Sequence, residues 1–321
     1  LSSFATPSGT SLQATSGAPV TYTTPSGRTV AKLDKVTLFT ARPGALPLDP
    51  SFKDKRGALD LGWSQPLGRN NHIGLGGHYS YEHDFRSASG NLSLSRDFNK
   101  KNTTVGVGVS GEHDQVKPVG GAPVPGSDDT ALQKGGDKIK KVKGAQVGVT
   151  QVVKRNWVTQ LNLGIDRSTG YLTDPYKIVS QVNAAGGVTG YRFESRPEDR
   201  TRRSVYWGNK IAFGRDVLDF SYRHGLDSWG IRTDTVDARY RVGSLSRNVY
   251  VEPHLRWYKQ SKADFYSLYL NSASAVPAYM TADPRLGAFT GKTVGMKLGL
   301  LMADEQELTF RLEGYQQDPS Q

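Results

Sequence analysis

Hydrophobic and polar residues alternate along most of the chain with the period of two that is typical of half-buried β-strands. In the segment RGALDLGWSQ, Leu59, Leu61 and Trp63 share one face, and the positions between them are small or polar. The segment TTVGVGVSGE repeats the pattern, with valines alternating with glycine or serine. We identify about thirteen such segments and no substantial helix, which predicts an all-β protein.

The connections between these segments alternate between short polar turns and longer loops rich in Gly, Pro, Asp and Ser. In an antiparallel meander every second connection lies at the same end of the sheet, so one end should carry turns and the other loops. Outer-membrane β-barrels show this asymmetry. The predicted turns are 66–71, 97–102, 154–156, 214–216, 243–248 and 302–306, and the predicted loops are 83–88, 114–139, 168–201, 227–231 and 261–290.

Aromatic residues near the ends of the predicted strands share the parity of the apolar residues, which is where the interfacial girdles of a membrane barrel lie. A soluble β-sandwich would use the same side chains as its core. The opposite faces carry many charges, and strands of up to about a dozen residues are long for a soluble domain. Both features favour an antiparallel up-and-down transmembrane β-barrel. The aromatic residues are Trp63, Tyr79, Tyr81, Trp157, Tyr222 and Trp257.

The composition excludes several other classes of protein. The 321 residues contain no cysteine, which rules out a disulfide framework and a thiolate zinc site. No uninterrupted apolar run is long enough for a transmembrane helix. The net charge of +11 fits either an anionic partner or a dispersed basic surface.

Two parts of the chain are predicted from composition and pattern. Residues 1–28 are rich in Ser, Thr and Gly and are expected to form a loop. Residues 29–321 are expected to form the barrel domain. Because a barrel leaves no unpaired edge in lipid, we expect this domain to be shortened at both ends, with an even number of about sixteen strands in the intact barrel.

Six blocks, in order, resemble a Gram-negative outer-membrane family catalogued as a domain of unknown function. The blocks are YEHDFRSASGNLSLSRDFNKKNTTVGVG, STGYLTDPYKIVS, RPEDRTR, SYRHGLDSWGIRTDT, RWYKQSKADFYS and ADPRLGAFTGKTVG. The resemblance runs from about Ala5 to the C-terminus. It implies an outer-membrane β-barrel, often encoded near a small lipoprotein and a flavin-transferring enzyme. The family offers no established catalytic residues to transfer to this chain.

The tripeptide Glu-His-Asp occurs twice, at Glu82–Asp84 and at Glu112–Asp114. The two copies are predicted at the loop ends of strands separated by one neighbour, about 10 Å apart. Imidazole and carboxylate together suit a transition metal. However, His83 and His113 follow the apolar face while the carboxylates follow the polar face. We therefore favour a polar collar at the extracellular rim over a metal site.

Other chemistries have less support in the sequence. A barrel lipid hydrolase would need serine and histidine within bonding distance, as in Ser80 with His78 or Ser221 with His224. The glycine-rich segments lack the GK[ST] and helix of a phosphate loop. The basic run KGGDKIKKVKG lacks aromatic platforms for nucleic acid. Contact with lipid headgroups and lipopolysaccharide phosphates fits that run better. We expect no catalytic site, metal, cofactor or nucleic-acid partner.

Charged residues of both signs have the inward parity of the predicted barrel, and the basic ones predominate. The sequence therefore predicts a channel or porin-like protein with a charged, net basic lumen. A scaffold barrel that docks a small lipoprotein or redox partner is the alternative, and a lipid hydrolase is the third. The predicted lumen-lining basic residues are Lys210, Arg223, Arg239, Arg241, Arg256, Lys297 and Arg311.

Overall fold

Strands dominate the structure, a computed structural model, which describes residues 55–118, 121–128, 132–133, 137–243, 248–302 and 306–320. The predicted loop at 1–28 and the first part of the predicted barrel domain lie outside these residues. The strands are β1 (Gly57–Leu67), β2 (Asn71–Tyr81), β3 (Phe85–Phe98), β4 (Thr103–Val116), β5 (Ala122–Pro123), β6 (Leu132–Gln133), β7 (Lys138–Lys154), β8 (Trp157–Gly170), β9 (Ile178–Val182), β10 (Val188–Phe193), β11 (Asp199–Phe213), β12 (Asp216–Asp227), β13 (Arg232–Arg241), β14 (Val249–Gln260), β15 (Leu270–Asn271), β16 (Phe289–Leu301) and β17 (Glu307–Pro319).

Twelve long strands form one sheet in the order β1-β2-β3-β4-β7-β8-β11-β12-β13-β14-β16-β17. Each long strand pairs antiparallel with the next long strand in the chain, for example Trp63 with Leu75 and Val107 with Val147. The all-β meander predicted from the sequence is therefore confirmed. Within the described residues, β1 and β17 are the outermost strands of the sheet.

The two ends of the sheet differ as the connections predict. One end carries tight turns, such as 155–156 and 214–215, and we call it the turn end. The other, the loop end, carries the long connections 117–137, 171–198 and 261–288. The predicted loop 83–88 was too long, because β3 already begins at Phe85 and residues 86–88 pair with both β2 and β4. The strands extend by one to three residues into the other predicted loops as well.

Large apolar side chains are exposed on one face of the sheet, which we call the apolar face. Leu61 is 66% exposed, Trp63 52%, Val109 55% and Leu312 70%. Cross-strand pairing keeps these side chains on the same side from strand to strand. A soluble protein would bury such a surface, so this face needs an apolar environment. The opposite face, which we call the polar face, carries glycine residues and serine, amide and charged side chains.

No helix in the described residues is long and apolar enough to cross a membrane.

The buried core of the molecule lies in the loops rather than under the sheet. Trp229, Ile231, Ala263 and Leu286 form one buried cluster at the loop end. Val179, Leu270 and Met280 form another, where the short strands β9, β10 and β15 make a separate three-stranded sheet. We refer to residues 171–198, 228–231 and 261–288 as the insert. The sequence placed these residues in loops and did not predict their folded core.

Neighbouring positions at the middle of β7 give a matched test of the two faces. Val147 lies on the apolar face and Gln146 on the polar face. We expect Val147→Arg to destabilise the protein folded into lipid vesicles by about 2–4 kcal/mol, because it places a charge against acyl chains. Gln146→Arg should change the stability little. Urea titration of both variants checks this, and equal costs would contradict the assignment of the faces.

Candidate functional site

All seven basic residues predicted to line the lumen lie on the polar face of β11 to β17. One row of cross-strand partners runs Lys210, Asp219, Arg239, His254 and then Gly295 and Glu313 across six strands. The other basic members fall on the same face by register. They are Arg223, Arg241, Arg256, Lys297 and Arg311. We call this part of the polar face the charged wall.

Carboxylates neutralise only part of the charged wall. Arg239 lies 3.6 Å from Asp237, Lys297 lies 3.9 Å from Glu252 and Arg311 lies 4.0 Å from Glu313. The other four basic residues, Lys210, Arg223, Arg241 and Arg256, form no ion pair within the described part of the chain. Arg223 and Arg241 instead stack on Tyr206 and Tyr250, with 5.2 and 3.5 Å to the ring centroids.

His254 is a buried member of the charged wall that the sequence did not single out. Its Nδ1 lies 2.8 Å from Glu313 and its Nε2 2.9 Å from Asp237. His254 thus links β13, β14 and β17 across the wall.

The polar face of β3, β4, β7 and β8 differs from the charged wall in carrying small, mostly uncharged side chains. A cavity of about 500 Å³ lies against this part of the face. It is lined by Ser93, Gly106, Gly108, Gly148, Gln160 and Asn162, among others. The polar face is therefore open along β3, β4, β7 and β8 and crowded with charged side chains along β11 to β17.

A buried ionic network joins the two long segments of the insert. Arg196 Nη2 donates to Glu194 Oε2 at 3.0 Å and to Asp283 Oδ2 at 2.8 Å. Thr281 donates its hydroxyl to Glu194 at 2.6 Å. Arg285 donates to Asp283 and, at 2.6 Å, to Asp174. The network therefore fixes residues 174–196 against residues 281–285.

Burial and charge shift two carboxyl groups of the network in opposite directions. Burial raises the pKa of Glu194 to about 6, although the nearby Arg196 acts to lower it. Burial also acts to raise the pKa of Asp283, but hydrogen bonds from Arg285 and the charges of Arg196 and Arg285 outweigh it and lower the pKa to about 2. Asp283 is therefore held ionised, whereas Glu194 gains a proton under mildly acidic conditions.

The insert is attached to the sheet over its polar face. Tyr176 donates its hydroxyl to Asp84 Oδ2 at 2.6 Å. A cavity of about 560 Å³ separates the insert from the polar-face residues Glu112, Lys140, Arg200 and Arg202 at the loop end. The insert thus covers this end of the polar face and leaves a charged chamber beneath it.

Each Glu-His-Asp tripeptide contributes one carboxylate to the lining of this chamber, Asp84 from the first and Glu112 from the second. Glu82–Asp84 forms the turn between β2 and β3, and Glu112–Asp114 lies within β4. Asp84 and Asp114 are buried, and Asp114 pairs with Lys140 at 2.6 Å. His83 and His113 are exposed. In the described residues, no group of three or more potential ligands is arranged to hold a metal.

The serine and histidine pairs considered for a hydrolase are not brought together. His78 Nδ1 lies 2.6 Å from Asp60, and Ser80 is buried. Cross-strand pairing places Ser221 on the polar face and His224 on the apolar face, where His224 bonds Asp234 at 2.8 Å. No serine of either pair bonds its histidine in the part of the chain that the structure describes.

Comparisons with known proteins place the chain in a family. The model of a family described as "Protein of unknown function (DUF3570)" matches residues 3–321. This chain belongs to the DUF3570 family. The resemblance inferred from the six sequence blocks is thereby confirmed. A comparison of the DUF3570 chain with curated proteins gives no match.

Two of the solved structures similar to the DUF3570 chain are of a ferric enterobactin receptor. A mutant of the ferric enterobactin receptor PfeA from Pseudomonas aeruginosa has a TM-score of 0.51 at 10% identity, covering 83% of this chain and 42% of that chain. The ferric enterobactin receptor PfeA in complex with BCV-L6 has a TM-score of 0.50 at 11% identity, covering 83% and 43%. The DUF3570 chain thus spans less than half the length of these receptors and shares their β-barrel fold.

The two shifted carboxyl groups predict opposite pH dependences for the insert of the DUF3570 chain. Glu194 contributes stability when it is protonated, and this is lost as the pH rises from 4.5 through about 6. Asp283 contributes stability when it is ionised, and this is lost as the pH falls from 3.8 through about 2. The insert should be most stable between these windows.

Amide hydrogen exchange of residues 174–196, corrected for intrinsic rates, measures this stability. We expect Glu194→Gln to abolish the pH dependence above the maximum and Asp283→Asn to abolish that below it. Each substitution should leave unchanged the pH dependence that the other carboxyl group causes. A monotonic profile in the unmodified protein, or one that neither variant alters, would contradict the assignment.

Proposed function

We propose that this DUF3570 protein is a β-barrel channel of the Gram-negative outer membrane. The exposed apolar face carries the proposal, because lipid is the environment that such a surface requires. The long strands, of 10 to 17 residues, are sufficient to span a bilayer. The proposal requires pairing partners for the outer edges of β1 and β17, because a barrel leaves no open edge in lipid.

The polar face would line the lumen. On this face the charged wall adjoins the part that carries small side chains, because β8 pairs with β11. Four basic residues of that wall lack carboxylate partners within the described residues. Its acidic residues Asp237, Glu252 and Glu313 have basic partners, whereas Asp219 has no ion pair within those residues. Unpaired positive charge in a narrow polar passage raises the local concentration of anions. The channel should therefore prefer anions weakly.

The insert would narrow the channel at its loop end. The Tyr176–Asp84 hydrogen bond holds it over the polar face, and the chamber beneath it leaves a passage lined by both signs of charge. The ionic network explains how such a loop keeps one position, because its buried charges are satisfied only when both segments of the insert meet. The proposed activity is passage of small polar solutes, with no chemical step.

Planar bilayers test the channel and its selectivity together. We expect discrete conductance steps and a reversal potential in a salt gradient that indicates anion preference. Replacing two unpaired residues of the charged wall, Arg223→Glu with Arg256→Glu, should shift the reversal potential toward cations. Arg155→Glu, in the turn between β7 and β8, is the control and should shift it much less. Silent bilayers after verified refolding, or an unchanged reversal potential, would count against the channel.

A scaffold barrel that binds a small lipoprotein or redox partner is the second candidate function. An apolar groove of about 530 Å³ on the insert, lined by Phe265, Tyr266, Pro277 and Tyr279 among others, favours it. Leu268 and Tyr269 beside the groove are also exposed. Co-purification of one defined partner from native membranes, lost on Tyr279→Ser, would support this function over the channel.

A further inference from the structure

Basic side chains gather on the apolar face at the loop end of β7, β8 and β11. Lys141, Lys143, Arg167 and Arg203 all have the parity of the lipid-facing residues and are all exposed. Arg167 pairs with Asp199 at 2.7 Å. The other three form no ion pair among the residues that the structure describes. We call these four residues the outer basic cluster.

The register of the strands brings these charges close together. Lys143 lies directly opposite Arg167. Arg203 lies beside Ile165, two residues before Arg167 on the same face. Three adjacent strands span only about 10 Å, which is within reach of side chains as long as lysine and arginine. Like charges directly opposite in a sheet are destabilising, so an anion between them would offset a cost in the fold.

An apolar groove runs from the outer basic cluster toward the middle of the sheet. It has a volume of about 570 Å³ and is lined by Val109, Ala145, Val147, Ile165, Val205 and Leu226, with Arg203 at its edge. Ala145 lies between its partners Val109 and Ile165 on the neighbouring strands. The short alanine side chain between two longer ones makes a trough that an extended acyl chain fits.

We propose that the outer basic cluster and this groove form a binding site for lipid A, the phosphorylated and multiply acylated anchor of lipopolysaccharide. The cluster would bind a phosphate, and the groove would hold an acyl chain of the same molecule. The order of the two parts, with charge at the loop end and apolar surface toward the middle of the sheet, matches the order of headgroup and chain in the outer leaflet. This inference depends on the barrel orientation in the proposed function, but not on conduction.

The binding test uses the full protein in nanodiscs and measures affinity for bisphosphorylated lipid A and for its dephosphorylated form. We expect preference for the phosphorylated lipid, and Lys143→Gln with Arg203→Gln should weaken its binding about 25-fold, at about fivefold for each charge. The matched control is Lys154→Gln with Arg155→Gln at the turn end of β7, which should retain the affinity. The charge-preserving pair Lys143→Arg with Arg203→Lys should retain most of it.

A second variant tests the groove separately from the charges. Ala145→Phe fills the trough and should weaken binding of acylated lipid A while leaving binding of its deacylated, phosphorylated headgroup unchanged. Equal loss in both double glutamine variants, or no preference for phosphate, would overturn the site. Lipid A binding by a protein that conducts nothing would refute the channel alone, and failure to insert into lipid would refute both proposals.

Discussion

The hydrogen-bonded ladder of the twelve-stranded sheet is the constraint on which the rest of the structure depends. Every long strand pairs along most of its length with the next one, so the backbone polar groups of the strands between β1 and β17 are largely satisfied within the sheet. This pairing is what allows one face to remain apolar and exposed, because unpaired peptide groups cannot be tolerated in hydrocarbon. It also fixes the side of the sheet on which each side chain lies, and therefore separates the charged wall from the apolar face.

Alternation along the sequence predicted the strands, the turns and the faces because these depend on local pattern. The positions of Arg223 and Arg256 on the polar face follow from parity alone. The contacts that these residues make do not follow from parity. His254 bonds Glu313, 59 residues away, and no local pattern indicates that pairing. The run RPEDRTR places charges of both signs close together in the sequence, but nothing in it indicates that Arg196 meets Asp283, 87 residues away.

The insert could not be predicted for a related reason. Its core combines Trp229 from a short turn with Ala263 and Leu286 from a distant loop, and none of these segments has a clear period. The sequence signal that was present is the concentration of apolar and acidic residues in loops otherwise rich in glycine and proline. In a loop surrounded by water, Glu194, Asp283 and Met280 would be exposed, but in the structure all three are buried. Their burial requires partners from the other loop.

Three regions of the molecule have separate roles in the proposed function. In that function the apolar face and the outer basic cluster would interact with lipid, the charged wall would set the electrostatics of the lumen, and the insert would determine how much of the loop end is open. The position of the insert depends on the buried ionic network, whose charges are satisfied mainly by one another. Such a network selects one geometry of the loops more than it adds stability, since separating its buried charges from water is costly.

The most direct measurement of the central claim is a cysteine scan along β4, for which the absence of native cysteine makes each label unique. A fluorophore would be placed in turn at Val105, Gly106, Val107, Gly108 and Val109 in the protein folded into vesicles. We expect brominated lipid to quench the odd positions and a water-soluble quencher to reach the even ones. Equal quenching by lipid at both sets, or protection of both from lipid, would contradict the account.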